Sequence, residues 1–288
     1  MTELLFAPFG EFEFMRRALV GALALSLSGA PIGVFLILRR MALTGDAMAH
    51  AILPGAALGY LVAGLSLPAM TLGGFAAGLI VAVAAALAAR ATILREDATL
   101  AAFYLISLAL GVTIVSLRGS NVDLLRVLFG SVLALDDATL LLLAGISSLT
   151  LLALAALYRP LTLETVDPGF FASISRLAGV TQAAFLALVV VNLVAGFHAL
   201  GTLMSVGLMM LPAASARLWA RTLPVMLALS AAFAFVASYV GLIVSFHAGL
   251  PSGPLIVLAA GGLYVFSLVF GRAGGALRGR SAGRHLEA

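Results

Sequence analysis

Long apolar runs alternate with short polar connections along most of the chain. A membrane-spanning helix needs roughly 20 mostly apolar residues, and nine runs approach that length. Strands of a membrane β-barrel would be far shorter and would alternate in polarity. The pattern therefore predicts an all-α, polytopic bundle of about nine membrane-spanning helices. The predicted spans are 18–38, 48–64, 67–89, 98–117, 138–157, 180–197, 200–216, 223–246 and 252–270.

Two of the predicted spans, 48–64 and 200–216, are short, and the first contains Pro54 and Gly55. Irregular backbone at membrane depth is tolerated only where it is buried in protein or lines a cavity. Each short run is therefore open to two interpretations, a complete span or a broken, re-entrant helix.

Composition supports a membrane protein and excludes several other classes. Of the 288 residues, 63% are hydrophobic and 10% are charged, whereas soluble domains carry about 25% charged residues. So few charges cannot cover a water-facing surface, and no stretch resembles a soluble domain. We therefore treat residues 1–288 as a single transmembrane domain. The absence of cysteine excludes disulfides, thiolate metal sites and cysteine nucleophiles.

The basic residues predict the orientation of the chain. All 16 are arginines, and 12 of them lie in one alternate set of connections between the spans. The positive-inside rule assigns that set to the cytoplasm, which places the N-terminus outside and the C-terminus inside. This use of positive charge gives no reason to expect a nucleic-acid partner. The lack of lysine excludes a nucleotide-binding P-loop, so we predict that the chain is not an enzyme and does not hydrolyse ATP itself.

The stretch RRMALTGDAMAHAILPG, residues 39–55, puts polar side chains where an apolar segment begins. Asp46 and His50 are four residues apart, which places them on one face of a helix. A carboxylate and an imidazole are donors that Zn²⁺ and Mn²⁺ accept. The ordinary alternative is an acid in the first turn of a helix beside an interfacial histidine. A charged group inside a bilayer costs about 2.5–3.5 kcal/mol and usually faces an interior path. The pair is thus a candidate partial site for a divalent cation.

Two further histidines, His198 and His247, lie at predicted outer ends of spans. Each is a weaker candidate for catching a cation that enters from outside. The alternative is an amphipathic side chain at the membrane interface.

The longest polar stretch, 158–179, falls on the predicted cytoplasmic side. Asp167 followed by Pro168 is typical of a helix start. The predicted helix, at about 165–179, presents Phe170 and Phe171 and ends near Gly179. Such an amphipathic helix can lie on the membrane surface or dock into a partner's groove, and the pattern leaves both open.

Three motifs resemble one family, the metal-type permeases of ATP-binding-cassette (ABC) importers, which take up zinc, manganese or iron(II). FLILRRMALTGDAMAHAILPGAALGY resembles its signature, although Ala49 stands where a serine is usual. VDPGFFASISRLAGV is similar to its cytoplasmic Asp-Pro-Glu segment, with Gly169 in place of the glutamate. GTLMSVGLMMLPAASARLWARTLP is similar to its helix that ends in Pro-Ala-Ala-x-Ala-Arg-Leu.

The resemblance implies a fold similar to the vitamin B12 and siderophore importer permeases, in a bacterial cytoplasmic (inner) membrane. It implies a homodimer, cytoplasmic ABC ATPase subunits, and an extracytoplasmic solute-binding protein that delivers the ion. The metal would be cargo, with no permanently bound cofactor. Asp46 and His50 would line the translocation site. The residues that would couple to the ATPase are Asp167, Pro168, Phe170, Phe171 and Gly179.

We expect zinc as the transported metal, with manganese or iron(II) as alternatives. A secondary transporter driven by an ion gradient is a rival, but such proteins tend to have inverted repeats and several intramembrane acids. A permease for a larger chelate is a second rival, and the Asp–His pair favours a bare ion instead. A membrane scaffold explains neither the pair nor the cytoplasmic helix.

Overall fold

The computed structural model of the protein describes residues 2–64, 66–93, 96–117 and 135–276. Within these ranges the chain forms twelve α-helices joined by short connections. The helices are α1 (Thr2–Glu11), α2 (Glu13–Leu38), α3 (Ala42–Ala51), α4 (Leu53–Ala63), α5 (Leu67–Ala91), α6 (Glu96–Leu117), α7 (Asp137–Val166), α8 (Pro168–Ile174), α9 (Leu177–Leu200), α10 (Thr202–Trp219), α11 (Leu223–Ala248) and α12 (Ser252–Phe270).

The helical membrane fold is confirmed, but the predicted number of nine spans is too high by length and apolarity. Across the described ranges, seven helical stretches are long and apolar enough to cross a membrane, with α3 and α4 counted together as Ala42–Ala63. The apolar part of α6, Ala98–Ile114, is shorter than the others, and Pro212 and Arg217 interrupt the apolar sequence of α10. An odd number of crossings places the two termini on opposite sides of the membrane, and seven is odd, as nine is. The orientation of the termini therefore stays a prediction.

The first short run is an interrupted helix. Pro54 has no backbone N–H and cannot bond to the His50 carbonyl four residues earlier, and α3 gives way to α4 at Ile52. The Ser107 hydroxyl of α6 donates to the Ala51 carbonyl at 3.0 Å. A Cβ atom on Gly111 of α6 would lie 3.1 Å from the Pro54 nitrogen. The irregular backbone is therefore buried against α6, as the bilayer requires.

Glycines bring α4 and α5 into backbone contact. A Cβ atom added to Gly55 would collide with the carbonyl oxygen of Gly73, and one on Gly59 would collide with that of Ala69. In lipid, helices associate through close packing, and small residues spaced four apart allow it. The pair thus forms a tight hairpin directly after the interruption at Ile52.

The core lies around α2 and α9, the two most buried of the membrane-spanning helices. Phe35 of α2 and Phe185 of α9 are fully buried and meet edge to face, with their ring centroids 6.2 Å apart. Asn192 of α9 donates to the Thr150 hydroxyl of α7 at 2.8 Å. A buried amide needs such a partner, so this bond fixes how α9 packs against α7.

The substitution Gly55→Ala tests the close contact between α4 and α5. The added methyl has no space beside Gly73, so we expect overpacking to destabilise the fold by about 1–3 kcal/mol. The measurement is the thermal unfolding temperature of the purified protein in detergent. The matched control is Gly261→Ala in α12, where no atom lies within 4 Å of the added Cβ. The control should melt at or slightly above the wild-type temperature, because alanine is the better helix former. Equal melting of both variants would contradict the packing.

Candidate metal site

Helix α3 carries Asp46 and His50 side by side. The Asp46 Oδ1 atom lies 3.8 Å from the His50 Nε2 atom. Because α3 begins at Ala42, its first turn contains no acidic residue and Asp46 falls in the second turn. This position removes the basis for treating Asp46 as a first-turn acid at the helix N-terminus.

A tight reversal of the chain sets where α3 begins. Helix α2 ends with Met41 N–H bonded to the Leu36 carbonyl at 2.8 Å and Arg40 N–H bonded to the Ile37 carbonyl at 3.1 Å. This pair of bonds is a Schellman motif, and it places Arg40 in the left-handed region with φ of 59°. At 1.5 Å per residue, Asp46 lies about 6 Å and His50 about 12 Å along the helix from its start. Asp46 and His50 therefore lie in the first half of the Ala42–Ala63 segment. The arginines assign the start of this segment to the cytoplasmic side of the membrane.

The environment of His50 leaves one ring nitrogen without a partner. The imidazole stacks on Tyr104 of α6, with ring centroids 6.0 Å apart and planes 30° apart. Its Nδ1 atom is buried and has no hydrogen-bond partner among the described residues. The Asp46 side chain is 56% exposed in the single chain. The site thus offers a reachable carboxylate beside an imidazole, and both are donors suited to a divalent cation.

The described residues of one chain do not complete a metal site. Among the described residues, no group of three or more histidine, cysteine, aspartate or glutamate side chains is placed to hold a metal ion. His198, near the end of α9, has its Nε2 atom 3.0 Å from the Thr71 hydroxyl. That hydroxyl donates its proton to the Leu67 carbonyl at 2.7 Å, so Nε2–H is the donor to Thr71. His247 lies near the end of α11, with its ring 5.4 Å from that of Phe246. A cation-catching role for either histidine stays a prediction.

Sequence reasoning missed the contribution of α6. Tyr104 stacks on the His50 ring, Ser107 donates to the Ala51 carbonyl, and Gly111 leaves space for the backbone at Pro54. Their spacings of three and four place them on one face of the helix. The face lies inside a uniformly apolar run, and the spacing was the only signal that could have identified it.

The predicted cytoplasmic helix exists, with the predicted start. The Asp167 Oδ1 atom accepts a hydrogen bond from the Phe170 N–H at 2.9 Å, and Pro168 is the first helical residue. The preceding span, predicted to end at residue 157, is longer than predicted, because α7 continues as helix through Pro160 to Val166.

The predicted end of this helix is wrong. Helix α8 ends at Ile174, and Ser175 is extended, with φ of −141° and ψ of 131°. The Ser175 hydroxyl accepts a hydrogen bond from the Leu177 N–H at 3.1 Å. In a continuous helix that N–H would instead bond to a backbone carbonyl four residues earlier. Gly179 therefore lies in the first turn of α9 instead of ending α8.

The two aromatics of α8 have different environments. Phe171 is 3% exposed and anchors the helix, whereas Phe170 is 55% exposed. Ile174, which is also exposed, lies four residues after Phe170 on the same face of α8, and these two side chains form what we call the α8 ridge. An exposed apolar row on a segment assigned to the cytoplasm is suited to a protein partner.

Comparison with known proteins gives a consistent family. Residues 11–271 match the ABC 3 transport family. The chain is 32% identical over 260 residues to the manganese transport system membrane protein MntC of Halalkalibacterium halodurans, covering 90% of this chain and 88% of the relative. It is 30% identical over 257 residues to the manganese import system permease protein ScaB of Streptococcus parasanguinis, covering 89% and 90%.

Solved structures share the fold. PsaBC from Streptococcus pneumoniae in complex with Fab superposes with a TM-score of 0.86 at 27% identity, covering 97% of this chain and all of the other. A metal-chelate type ABC transporter in an inward-facing conformation superposes with a TM-score of 0.66 at 18% identity, covering 88% and 85%, and supports the fold alone. Together with the family match over residues 11–271, these findings establish that the chain belongs to the ABC 3 transport family of metal-type importer permeases, which are multi-pass proteins of the bacterial cytoplasmic membrane.

Proposed function

We propose that the chain is the permease subunit of an ABC importer for Mn²⁺. The observation that carries the proposal is the Asp46–His50 pair on α3, 3.8 Å apart with a half-exposed carboxylate. The two relatives described above are named for manganese transport. Their names favour the manganese alternative over the zinc that we expected from the sequence, and membership of an ABC family argues against a gradient-driven transporter.

The donor chemistry of the pair is compatible with manganese. Carboxylate oxygens and water suit Mn²⁺, and the chain has no cysteine thiolate that would favour softer metals. Among the described residues, one chain brings together only these two side-chain donors at the site. A second copy related by a two-fold axis would supply the same pair again. The exposed side of Asp46 is the surface on which the two pairs would meet, with the ion between the copies.

ATP hydrolysis is assigned to separate cytoplasmic subunits, because this chain has no P-loop lysine. The α8 ridge is the docking surface for them, and an extracytoplasmic binding protein delivers the ion. ATP binding at the partner rocks the two permeases from one facing state to the other, and Asp46 and His50 hold the ion in transit. Such a site must bind only moderately, since the ion must also leave.

Removing either metal donor tests the site. Changes in the outer shell of a metal site already reduce metal affinity roughly 10–100-fold, so Asp46→Ala and His50→Ala should each reduce uptake by at least that factor. The measurement is manganese uptake into proteoliposomes that contain the permease, its ATPase and its binding protein. Co-purification of the ATPase should be unchanged. Asp137→Ala, which removes an exposed carboxylate at the start of α7, is the control and should transport normally. Normal uptake by both site variants would refute the site.

The identity of the metal has its own test. The same proteoliposomes are given manganese or zinc at equal free concentrations, and the ATP-dependent uptake of each is recorded. We expect saturable uptake of manganese that exceeds uptake of zinc. Uptake that favours zinc would overturn the manganese assignment while leaving the importer and its site intact.

Docking of the ATPase depends on the α8 ridge under this proposal. A buried aromatic at the centre of an interface is often worth about 2 kcal/mol or more, roughly thirtyfold in affinity. Phe170→Asp should therefore weaken ATPase binding by at least that factor, measured by titration of the purified subunits. Ala172→Asp places the same charge two residues further along α8, about 200° around the helix, and should bind normally. Equal binding of both variants would contradict the docking role of the α8 ridge.

A further inference from the structure

Helices α2 and α7 are joined at both ends by an arginine and a carboxylate. At one end Arg17 lies 3.0 Å from Asp137, whose side chain is 78% exposed. At the other end Arg39 lies 2.8 Å from Glu164, and each of these side chains is only 8% exposed. An exposed pair contributes little to stability, whereas two buried charges require one another's presence. The Arg39–Glu164 pair, which we call the inner pair, therefore constrains the ends of these two helices, which the hydrogen bond from the Ser147 hydroxyl to the Ala24 carbonyl, at 2.9 Å, also joins further along.

The inner pair also involves a third helix. The Arg39 guanidinium donates to the Gln182 side-chain oxygen of α9 and lies over the Phe185 ring, 4.8 Å from its centroid. Arginine suits this position because its planar group can pair with a carboxylate and stack on a ring at once. Arg39 thus ties the ends of α2 and α7 to the first part of α9, at Gln182 and Phe185.

The two members of the Arg39–Glu164 pair lie next to the two helices that the proposed function uses, α8 and α3. Glu164 lies in the last turn of α7, three residues before the Asp167 cap of α8. Arg39 lies three residues before the start of α3, which carries the metal donors. The chain between Arg39 and α3 is a closed turn, with Arg40 in the left-handed region and Met41 bonded back to Leu36. Neither connection has a flexible loop that would absorb movement.

We propose that the Arg39–Glu164 pair transmits displacement of α8 to α3, and so couples the ATPase to the metal site. The inference rests on the proposed function in that it takes α8 as the docking helix and Asp46 and His50 as the metal donors. Arg39 and Glu164 are positioning residues that do not touch the ion. A displacement of α8 moves the end of α7, the ion pair moves Arg39 with it, and the tight turn carries that movement into α3.

A label on α3 tests the coupling without using the metal. Since the chain has no cysteine, Leu43→Cys gives a unique attachment point for an environment-sensitive fluorophore. Leu43 is exposed and lies in the first turn of α3. The permease is assembled with an ATPase lacking reactive cysteines and reconstituted in nanodiscs. Fluorescence and ATP hydrolysis are recorded after addition of ATP, and we expect the wild-type permease to give an ATP-dependent fluorescence change.

Two variants separate coupling from a purely structural role. Arg39→Met combined with Glu164→Leu removes both charges and leaves neither one buried alone, which often preserves stability. We expect this double variant to assemble and hydrolyse ATP but to lose the fluorescence change. Glu164→Gln keeps the shape of the side chain and should reduce the change relative to hydrolysis. Asp137→Asn, which breaks the exposed pair between the same two helices, is the matched control and should respond like the wild type.

The contrary results are equally specific. A fluorescence change that survives in the double variant, or one that is not reduced in Glu164→Gln, would overturn the inference. The same holds if fluorescence change and hydrolysis fall in the same proportion, or if the wild type shows no ATP response on α3. Failure of the wild type to import manganese would instead count against the proposed cargo, because the label reports the movement of α3 whatever ion is carried.

Discussion

A lipid bilayer offers no hydrogen-bond partner to the backbone, so every N–H and C=O group inside it must be satisfied by the protein. This requirement explains the uniform helicity of the described segments, and it governs the interruption of the helix at Ile52. Pro54, in the first turn of α4, lacks a backbone donor, and the Ser107 hydroxyl of α6 donates to the nearby Ala51 carbonyl. The same face of α6 places Tyr104 against His50. One helix therefore both seals the interruption and supports the candidate metal site.

Close packing drives the association of helices in the membrane, as the hydrophobic effect drives it in soluble proteins. Lipid chains are as apolar as the helices, so helices associate through van der Waals contact and a few interhelical hydrogen bonds. Gly55 and Gly73 allow α4 and α5 to touch along their backbones, and the Asn192–Thr150 bond holds α9 against α7. These contacts fix the helices on either side of α3, so that Asp46 and His50 are carried on a supported segment.

The arginines of this chain have two roles, indicating the topology and joining helices. A count of arginines does not distinguish the two roles. Most arginines mark the side of the membrane on which a connection lies, as the positive-inside rule describes. Arg39 also pairs with Glu164, with both side chains almost fully buried. Its neighbour Arg40 closes the turn into α3 with a left-handed backbone. Two of the arginines that indicate topology in the sequence thus also join the neighbouring ends of α2, α7 and α9 to the beginning of α3.

The sequence by itself determined the features that depend on local pattern. Apolar run length predicted the helices because a bilayer accepts little else, the Asp167–Pro168 dipeptide predicted the start of α8 because capping is local, and a spacing of four placed Asp46 beside His50. Only the tertiary structure decided that Phe171 is buried while Phe170 is exposed, that α8 ends at Ile174, and that Tyr104 and Ser107 of α6 meet α3. It also brought Arg39 to Glu164. Those outcomes depend on which helices pack together, and contacts between residues far apart in the chain leave no periodic trace in a single sequence.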